Sequence, residues 1–557
     1  MVCCHIREHA AMSDLRKAPY RRAVLAEEAE VSPGSAPLRG LRVSPELRKN
    51  GTGVGLGKAS CRRAIFVLLA PLLLYGVALN PYFLPSQYDD ILYYYGAKSL
   101  AESGSYQFNG LYITDWPPVL PALLAIFFLA GLESVWVAKS LILLFAGLGL
   151  LLTYRLFERE GRPHPLTIGL LFALLPSSFT MGTRIMAEWP YIAISFLFLI
   201  LLDLLNGRKR GIPFAVLTGC VLGLASLTRW AGVFLGVAVL AQVFTKIKSG
   251  RGISGLRLAL PEMVVALTGA CLFGLWRAKI ALELLAGTAE LSENWGSLEA
   301  IFYFDPVAQL NLFNDLFFGG LNIVQYFGVE NHPITFILVL PVLITIAGMV
   351  SHFRSKGLRP ADWYVFTTLI VLTFYYEIKL TRYLLPIAPF LLSYLFTGIA
   401  LIARTLKVKA DIWSAWPFKA ALAAWMVMLV ALDGYGLIYG NTDKTHSGLC
   451  VLASPNARSF YAGEWRDLYR ICHFMREDPT PGPVAVVGGT EGIGKYILAF
   501  SGRPYEGFPP QGQARFVIAR NPPEVSEDTQ KAFGLVEVKR SQTFTLYRVA
   551  PAVLSGI

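Results

Sequence analysis

Two adjacent carboxylates, Asp89 and Asp90, stand in SQYDDILYYYGAKSLAESGSY, just beyond the first long apolar run of this chain. A third acid, Glu188, opens the apolar run of TRIMAEWPYIAISF two residues before Pro190. Basic residues recur at comparable boundaries: Arg184, Arg229, Lys379 and Arg382, with Lys98 in the first loop. A carboxylate takes a proton from a nucleophile, while a guanidinium fork matches phosphate oxygens and pairs with them more strongly where the dielectric is low. Acids facing such cations are suited to attack on a lipid-linked phosphate ester, with the cations stabilising the leaving phosphate. Asp89 and Glu188 could also share a divalent cation (Mg, Mn or Zn) through hard oxygen ligands. Each residue has a plainer reading as well. Asp89 and Asp90 suit the N-cap and first turn of a helix over DDILYYYGAKSLAES, Glu188 suits the start of its own helix, and boundary arginines snorkel to headgroups.

The elements that position these residues are set by composition. Of 557 residues, 54% are hydrophobic and only 16% charged, against about a quarter charged in soluble domains. The chain therefore reads as a polytopic α-helical membrane protein. Apolar runs long enough to cross roughly 30 Å of hydrocarbon lie at 64–80, 135–154, 165–182, 189–206, 212–228, 230–245, 258–282, 333–351, 361–377, 383–403 and 417–438, about eleven transmembrane helices. A twelfth apolar stretch, PPVLPALLAIFFLAGL at 117–132, is short and begins with two prolines.

Charge decides the status of that stretch. If 117–132 does not span, then RLFEREGRPH, NGRKRG, KIKSGRG, HFRSKGLR and RTLKVK all share a side with the basic N-terminal arm, as the positive-inside rule requires. We therefore read 117–132 as a helix in or dipping into the outer interface. Residues 1–63 hold 12 Lys and Arg against 6 Asp and Glu, mix Pro, Gly and Ser without apolar periodicity, and read as a disordered cytoplasmic arm. An arm that orients the first helix accounts for this charge without nucleic acid as a partner. No short apolar core with a small-residue cleavage site opens the sequence, so a cleaved secretion signal is not expected. The seven cysteines show neither CxxC nor mixed His/Cys spacing. On this parity the loops 81–134 and 283–332, and everything after about 439, face outward, and residues 64–438 form the membrane domain. The 283–332 loop contains no Lys or Arg.

In order and spacing, YDDILYYYGAKSLAESGSY, TDWPPVLPALLA, RIMAEWPYIAISFLFLILL, LTRWAGVFLGVAVLA and TRYLLPIAPFLL resemble segments of the bacterial GT-C membrane glycosyltransferases. The type is that of the dolichyl-phosphate-mannose protein mannosyltransferases and lipid A aminoarabinose transferases, and the resemblance covers about residues 64–403. It implies an inverting enzyme at the outer face of the cell (inner) membrane that uses a polyprenyl-phosphate sugar as donor and a glycan, lipid or protein as acceptor. Asp89 then corresponds to the general base, Asp90 to the second acid of the pair and Glu188 to the acid on the fourth membrane helix. Arg229 and Arg382 correspond to basic positions associated with donor phosphate, and Lys379 and Arg184 belong to the same group of boundary cations. One position departs: where the aminoarabinose transferase has a lysine before the proline of the non-spanning helix, this chain has Trp116. The principal alternative is a secondary transporter or flippase of lipid-linked sugars. Such proteins place ionisable groups near the bilayer midplane, whereas Asp203, Glu262, Arg277, Glu377 and Asp433 lie toward segment ends.

Beyond 439 the sequence turns polar. EWRDLYRICHFMRED reads as a helix and PVAVVGG, ARFVIAR and FTLYRVA as strands, giving a small α/β domain over 439–557 on the outer face. GGTEGIG within it has the look of a dinucleotide fingerprint. The region is too small for a full dinucleotide fold and lacks an acid at the expected distance, so a tight turn is expected and no nucleotide cofactor.

Overall fold

Hydrocarbon offers no partner to backbone N–H and C=O groups, so the long apolar runs satisfy them internally as helices. The computed structural model describes residues 58–83, 89–207, 211–250, 253–289, 313, 316–317, 334–374, 381–407, 413, 415–439, 461, 463–487, 490–508, 514–520 and 525–550. The basic arm up to residue 57, most of the 283–332 loop and Lys379 lie outside the described residues.

All eleven expected segments fall on helices. They are α1 (Lys58–Ala78), α4 (Val135–Glu160), the pair α5 (Pro165–Leu174) and α6 (Pro176–Gly182), α7 (Glu188–Gly207), α8 (Ile212–Ser226), α9 (Val233–Ser249), α10 (Ile253–Leu285), α11 (Ile334–Lys356), α12 (Pro360–Phe374), α13 (Ala388–Thr405) and α14 (Trp416–Tyr439). Among the described residues, six of these runs are long and apolar enough to cross a membrane, and the α5/α6 pair makes a seventh. The protein is a multi-pass membrane protein. α1 opens at Lys58, six residues before the apolar run begins, because helix propensity carries it back through KASCRR. α5 and α6 meet at 66°, since Pro176 has no N–H and its ring disrupts the preceding turn. The Tyr75 hydroxyl of α1 donates to the Ala173 carbonyl beside this break, at 2.5 Å.

The stretch expected not to span forms α3 (Val119–Leu129). Eleven residues rise about 16 Å, half of what a crossing needs. It packs against α2 (Asp89–Ser103). Between them lies a hairpin of β1 (Gln107–Phe108) and β2 (Leu111–Tyr112). Asn109 and Gly110 form its two-residue loop, both at positive φ, as a type I′ turn demands.

The helices alternate in direction between two ends, each marked by side-chain contacts. One end gathers Asp89, Glu188, Arg229 and Arg382. The other gathers Arg162 with Asp362, Arg159 with Asp203 and Lys246 with Glu262. α11 and α13 cross with their backbones in contact: a Cβ built on Gly348 would overlap the Tyr394 carbonyl, and one on Gly398 the Ile344 carbonyl.

The C-terminal region holds α15 (Gly463–Glu477), α16 (Thr490–Ser501), α17 (Glu527–Ala532) and a five-stranded sheet. Strand order is β4 (Tyr505–Gly507), β3 (Val484–Val486), β5 (Phe516–Arg520), β7 (Phe544–Val549), β6 (Leu535–Arg540). β3 is parallel to both its neighbours, and β7 antiparallel to both of its own. Where the fingerprint-like GGTEGIG was noted, Gly488 and Gly489 lie outside the described residues. Gly494 lies on α16 with the Tyr505 ring directly against it, which leaves no room for a side chain. The region is bound to the bundle by the hairpin: Asn109 Nδ2 donates to the Tyr505 carbonyl at 2.7 Å, and the Tyr505 N–H donates to Asn109 Oδ1 at 3.2 Å.

Candidate functional site

Asp89 is the first residue of α2, but its carboxylate does not turn back on its own helix. Its Oδ2 lies 2.7 Å from Arg382 Nη1, with both side chains about seven-eighths buried. Arg382 sits in a 3₁₀ turn, Thr381–Tyr383. Its Nη2 donates to the Tyr383 hydroxyl at 3.2 Å and its Nε lies 4.0 Å from Glu188 Oε1. Glu188, first residue of α7 and fully buried, is ion-paired with Arg229, although neither of its oxygens has a hydrogen bond of proper geometry. The guanidinium carbons of Arg229 and Arg382 each lie 5.1 Å from the centre of the Tyr383 ring. This aromatic surface accommodates both cations.

The turn carrying Arg229 is held from the side by the non-spanning segment. Trp230 Nε1 donates to the Asp115 carbonyl at 2.7 Å, and the Val119 N–H donates to the Leu227 carbonyl at 3.1 Å. Trp116, the departing position, receives the Tyr106 hydroxyl on its carbonyl and Lys495 of α16 5.5 Å from its ring centre.

A second group lies alongside. Asp90 is 1% exposed and accepts the Ile91 N–H at 3.0 Å, the role expected of a first-turn acid. It interacts electrostatically with Arg184 and with Lys139 of α4. Lys139 is fully buried and donates to Asn80 Oδ1 at 3.0 Å and to the Tyr82 carbonyl at 2.7 Å. The sequence reading passed over Lys139, because VWVAKSLILLF reads as one apolar run. A lysine four residues inside a membrane segment was the available signal.

Electrostatics sort the arginines. Burial disfavours the charged form of Arg382, but Asp89 and Glu188 outweigh it and hold its pKa above the ordinary value. Arg229 behaves alike, with Glu188 overcoming burial. Arg184 is the reverse: burial pushes its pKa down and Asp90 offsets only part of that. Tyr93 is pushed well up by burial and then by Asp89, so it stays a neutral phenol facing the site. Of the sequence-predicted residues, the structure brings Asp89, Asp90, Glu188, Arg184, Arg229 and Arg382 together.

The donor set does not fit the divalent cation proposed for Asp89 and Glu188. Each carboxylate is engaged by an arginine, and Arg382 lies between them. Among the described residues no group of three or more His, Cys, Asp or Glu side chains converges.

No protein-family model matches the sequence, and no curated protein matches it. Solved structures do. ArnT from Cupriavidus metallidurans bound to undecaprenyl phosphate superposes with a TM-score of 0.51 at 14% identity, over 89% of this chain and 99% of that one. The chain has the GT-C fold. The arabinofuranosyltransferase AftD from Mycobacteria gives a TM-score of 0.50 at 14% identity, covering 88% of this chain and 40% of that one. The Archaeoglobus fulgidus oligosaccharyltransferase in complex with Zn and sulfate gives 0.48 at 15% identity, over 82% and 68%. In this GT-C chain the helix α3 and the α2 acids lie together at one end of the bundle.

Proposed function

We propose that this protein is a membrane glycosyltransferase that moves a sugar from a polyprenyl-phosphate donor to a glycan, lipid or protein acceptor at the outer face of the cell membrane. The observation that carries the reading is a buried guanidinium without a partner beside two that are paired. Arg184, Arg229 and Arg382 face three carboxylates, Asp89, Asp90 and Glu188, and among these described arginines Arg184 has no side-chain hydrogen bond or ion pair. Unpaired buried charge is costly. A sugar phosphodiester carries one negative charge and supplies the missing partner.

The same cations serve the reaction. Asp89 takes the proton of the acceptor hydroxyl as that oxygen bonds to the anomeric carbon from the face opposite the phosphate, inverting the configuration. The bond from the anomeric carbon to the phosphate oxygen breaks, and its electron pair stays on phosphate. The site has then lost one carboxylate charge. The released polyprenyl phosphate is a monoester carrying close to two negative charges at neutral pH. Arg229, Arg382 and Arg184 thus bind the product more tightly than the donor ground state, which favours the developing charge of the transition state. The undecaprenyl phosphate present in the ArnT structure is a ligand of this kind.

The reading is tested by equilibrium binding of undecaprenyl phosphate and of undecaprenol to the purified full-length protein. Phosphate-dependent binding should weaken by about tenfold or more in Arg229→Ala, as charge-assisted bonds to a desolvated phosphate are lost. Equal affinity for the phosphate and the alcohol would remove the proposal.

A further inference from the structure

Three of the four cations at the site are already engaged: Arg229 by Glu188, Arg382 by Asp89, and Lys139 by Asn80 and the Tyr82 carbonyl. Arg184 is different. Among the described site cations its side chain alone has no hydrogen bond or ion pair, and its buried Nε has no acceptor. Its electrostatic neighbours are Asp90, Tyr496, Arg382 and Glu188. An anion drawn to the unpaired guanidinium therefore arrives beside Arg382.

Arg382 already faces two carboxylates and a hydroxyl. Its Nη1 is held by Asp89 and its Nη2 by the Tyr383 hydroxyl, and its Nε faces Glu188 at 4.0 Å. A phosphate that takes two parallel N–H bonds, one of them from Nη1, competes with Asp89 there. While Arg382 holds Asp89 Oδ2, the acceptor hydroxyl meets a carboxylate already paired with a cation.

We propose that donor phosphate seats on Arg184 and draws Arg382 away from Asp89, so that the base becomes available to the acceptor only once the donor is bound. This inference rests on the phosphate-ester reading above. It turns the ion pair of the ligand-free protein into an order of events: donor first, then acceptor activation. Lone water or acceptor entering an empty site meets an Asp89 already committed to a guanidinium.

A double-mutant cycle on undecaprenyl phosphate affinity tests it, using full-length protein in nanodiscs with undecaprenol as the control. If phosphate must take Arg382 from Asp89, Asp89→Asn tightens binding by about tenfold when Arg382 is present and by less than about twofold in an Arg382→Ala background. Arg382→Gln keeps most of the bulk and replaces Arg382→Ala if the latter does not accumulate as folded protein. Equal tightening in both backgrounds means plain charge repulsion and overturns the proposal, as does weaker binding in Asp89→Asn. Arg184→Ala should lower affinity in every background, and unchanged affinity there also overturns it. Wild-type protein that does not distinguish the phosphate from the alcohol fails the functional reading itself, a result separate from any outcome of the cycle.

Discussion

Asp362 and Glu188 are both fully buried carboxylates, one at each end of the helix bundle. Asp362 accepts from Arg162 Nη2 at 2.8 Å, the Tyr394 hydroxyl at 2.5 Å and the Arg359 N–H at 2.9 Å, with His352 Nε2 at 3.5 Å. Glu188 has an ion pair with Arg229 and no well-formed hydrogen bond. Arg162 in turn donates from Nε to Glu160 at 2.5 Å and lies over the rings of Phe157, Phe390 and Tyr394. A carboxylate saturated by its own protein fixes one packing arrangement and has nothing left for a ligand. One that is held by charge alone, next to a surplus cation, leaves acceptors and donors for a ligand to complete. The same chemistry thus serves as a lock at one end and as a receptor at the other.

The comparison breaks most visibly in activity. Asp89→Asn keeps the shape of the side chain but cannot take a proton, so transfer from a polyprenyl-phosphate sugar should fall by about 10²–10⁴-fold per folded molecule, the folded fraction being read by thermal unfolding. Because Asn caps a helix as well as Asp does, a fully active Asp89→Asn would return the residue to a helix start. At the opposite end, Asp362→Ala removes one of the two carboxylates paired with buried Arg162 and the acceptor of Tyr394, and should cost about 3–5 kcal/mol of stability, read by thermal unfolding in detergent. The fraction that remains folded should bind undecaprenyl phosphate as the wild type does. A loss of binding beyond the loss of folded protein would show that the lock is part of the receptor. The smallest effect is expected at Lys98, which pairs with Glu133 at 2.8 Å and Glu102 at 3.6 Å but is partly exposed. Lys98→Ala should change stability by less than about 1 kcal/mol and phosphate affinity not measurably. A clear drop in affinity would mean that any cation at this end attracts the ligand.

The contrast between the ends also marks where sequence reading stops. Asp89, Glu188, Arg229 and Arg382 stand at the edges of apolar runs, where charge is conspicuous and parity places them on one face. Their pairing was not legible, because Asp89 and Arg382 are separated by 293 residues and a one-dimensional pattern carries no such distance. Lys139 was hidden by the apolar residues around it. Arg162 was legible only as one of several basic loop residues, and nothing in RLFEREGRPH distinguishes a locked arginine from one that merely orients a helix. In the C-terminal region the helix and three buried strands followed from apolar runs. β4 is only three residues long, and β6 has several exposed residues, so hydrophobic periodicity gave neither away.

The crossing of α11 and α13 bears on how such a site can change over generations. Lipid tails give helices no hydrophobic reason to associate, so close backbone contact supplies much of the grip. Gly348 and Gly398 let these two helices touch, and α13 follows closely on the turn that carries Arg382. Gly348 meets the Tyr394 carbonyl, and the hydroxyl of the same tyrosine holds Asp362, so the packing of the lock is set partly by two missing side chains. Any larger residue at either position would wedge the helices apart there without altering a single charged group.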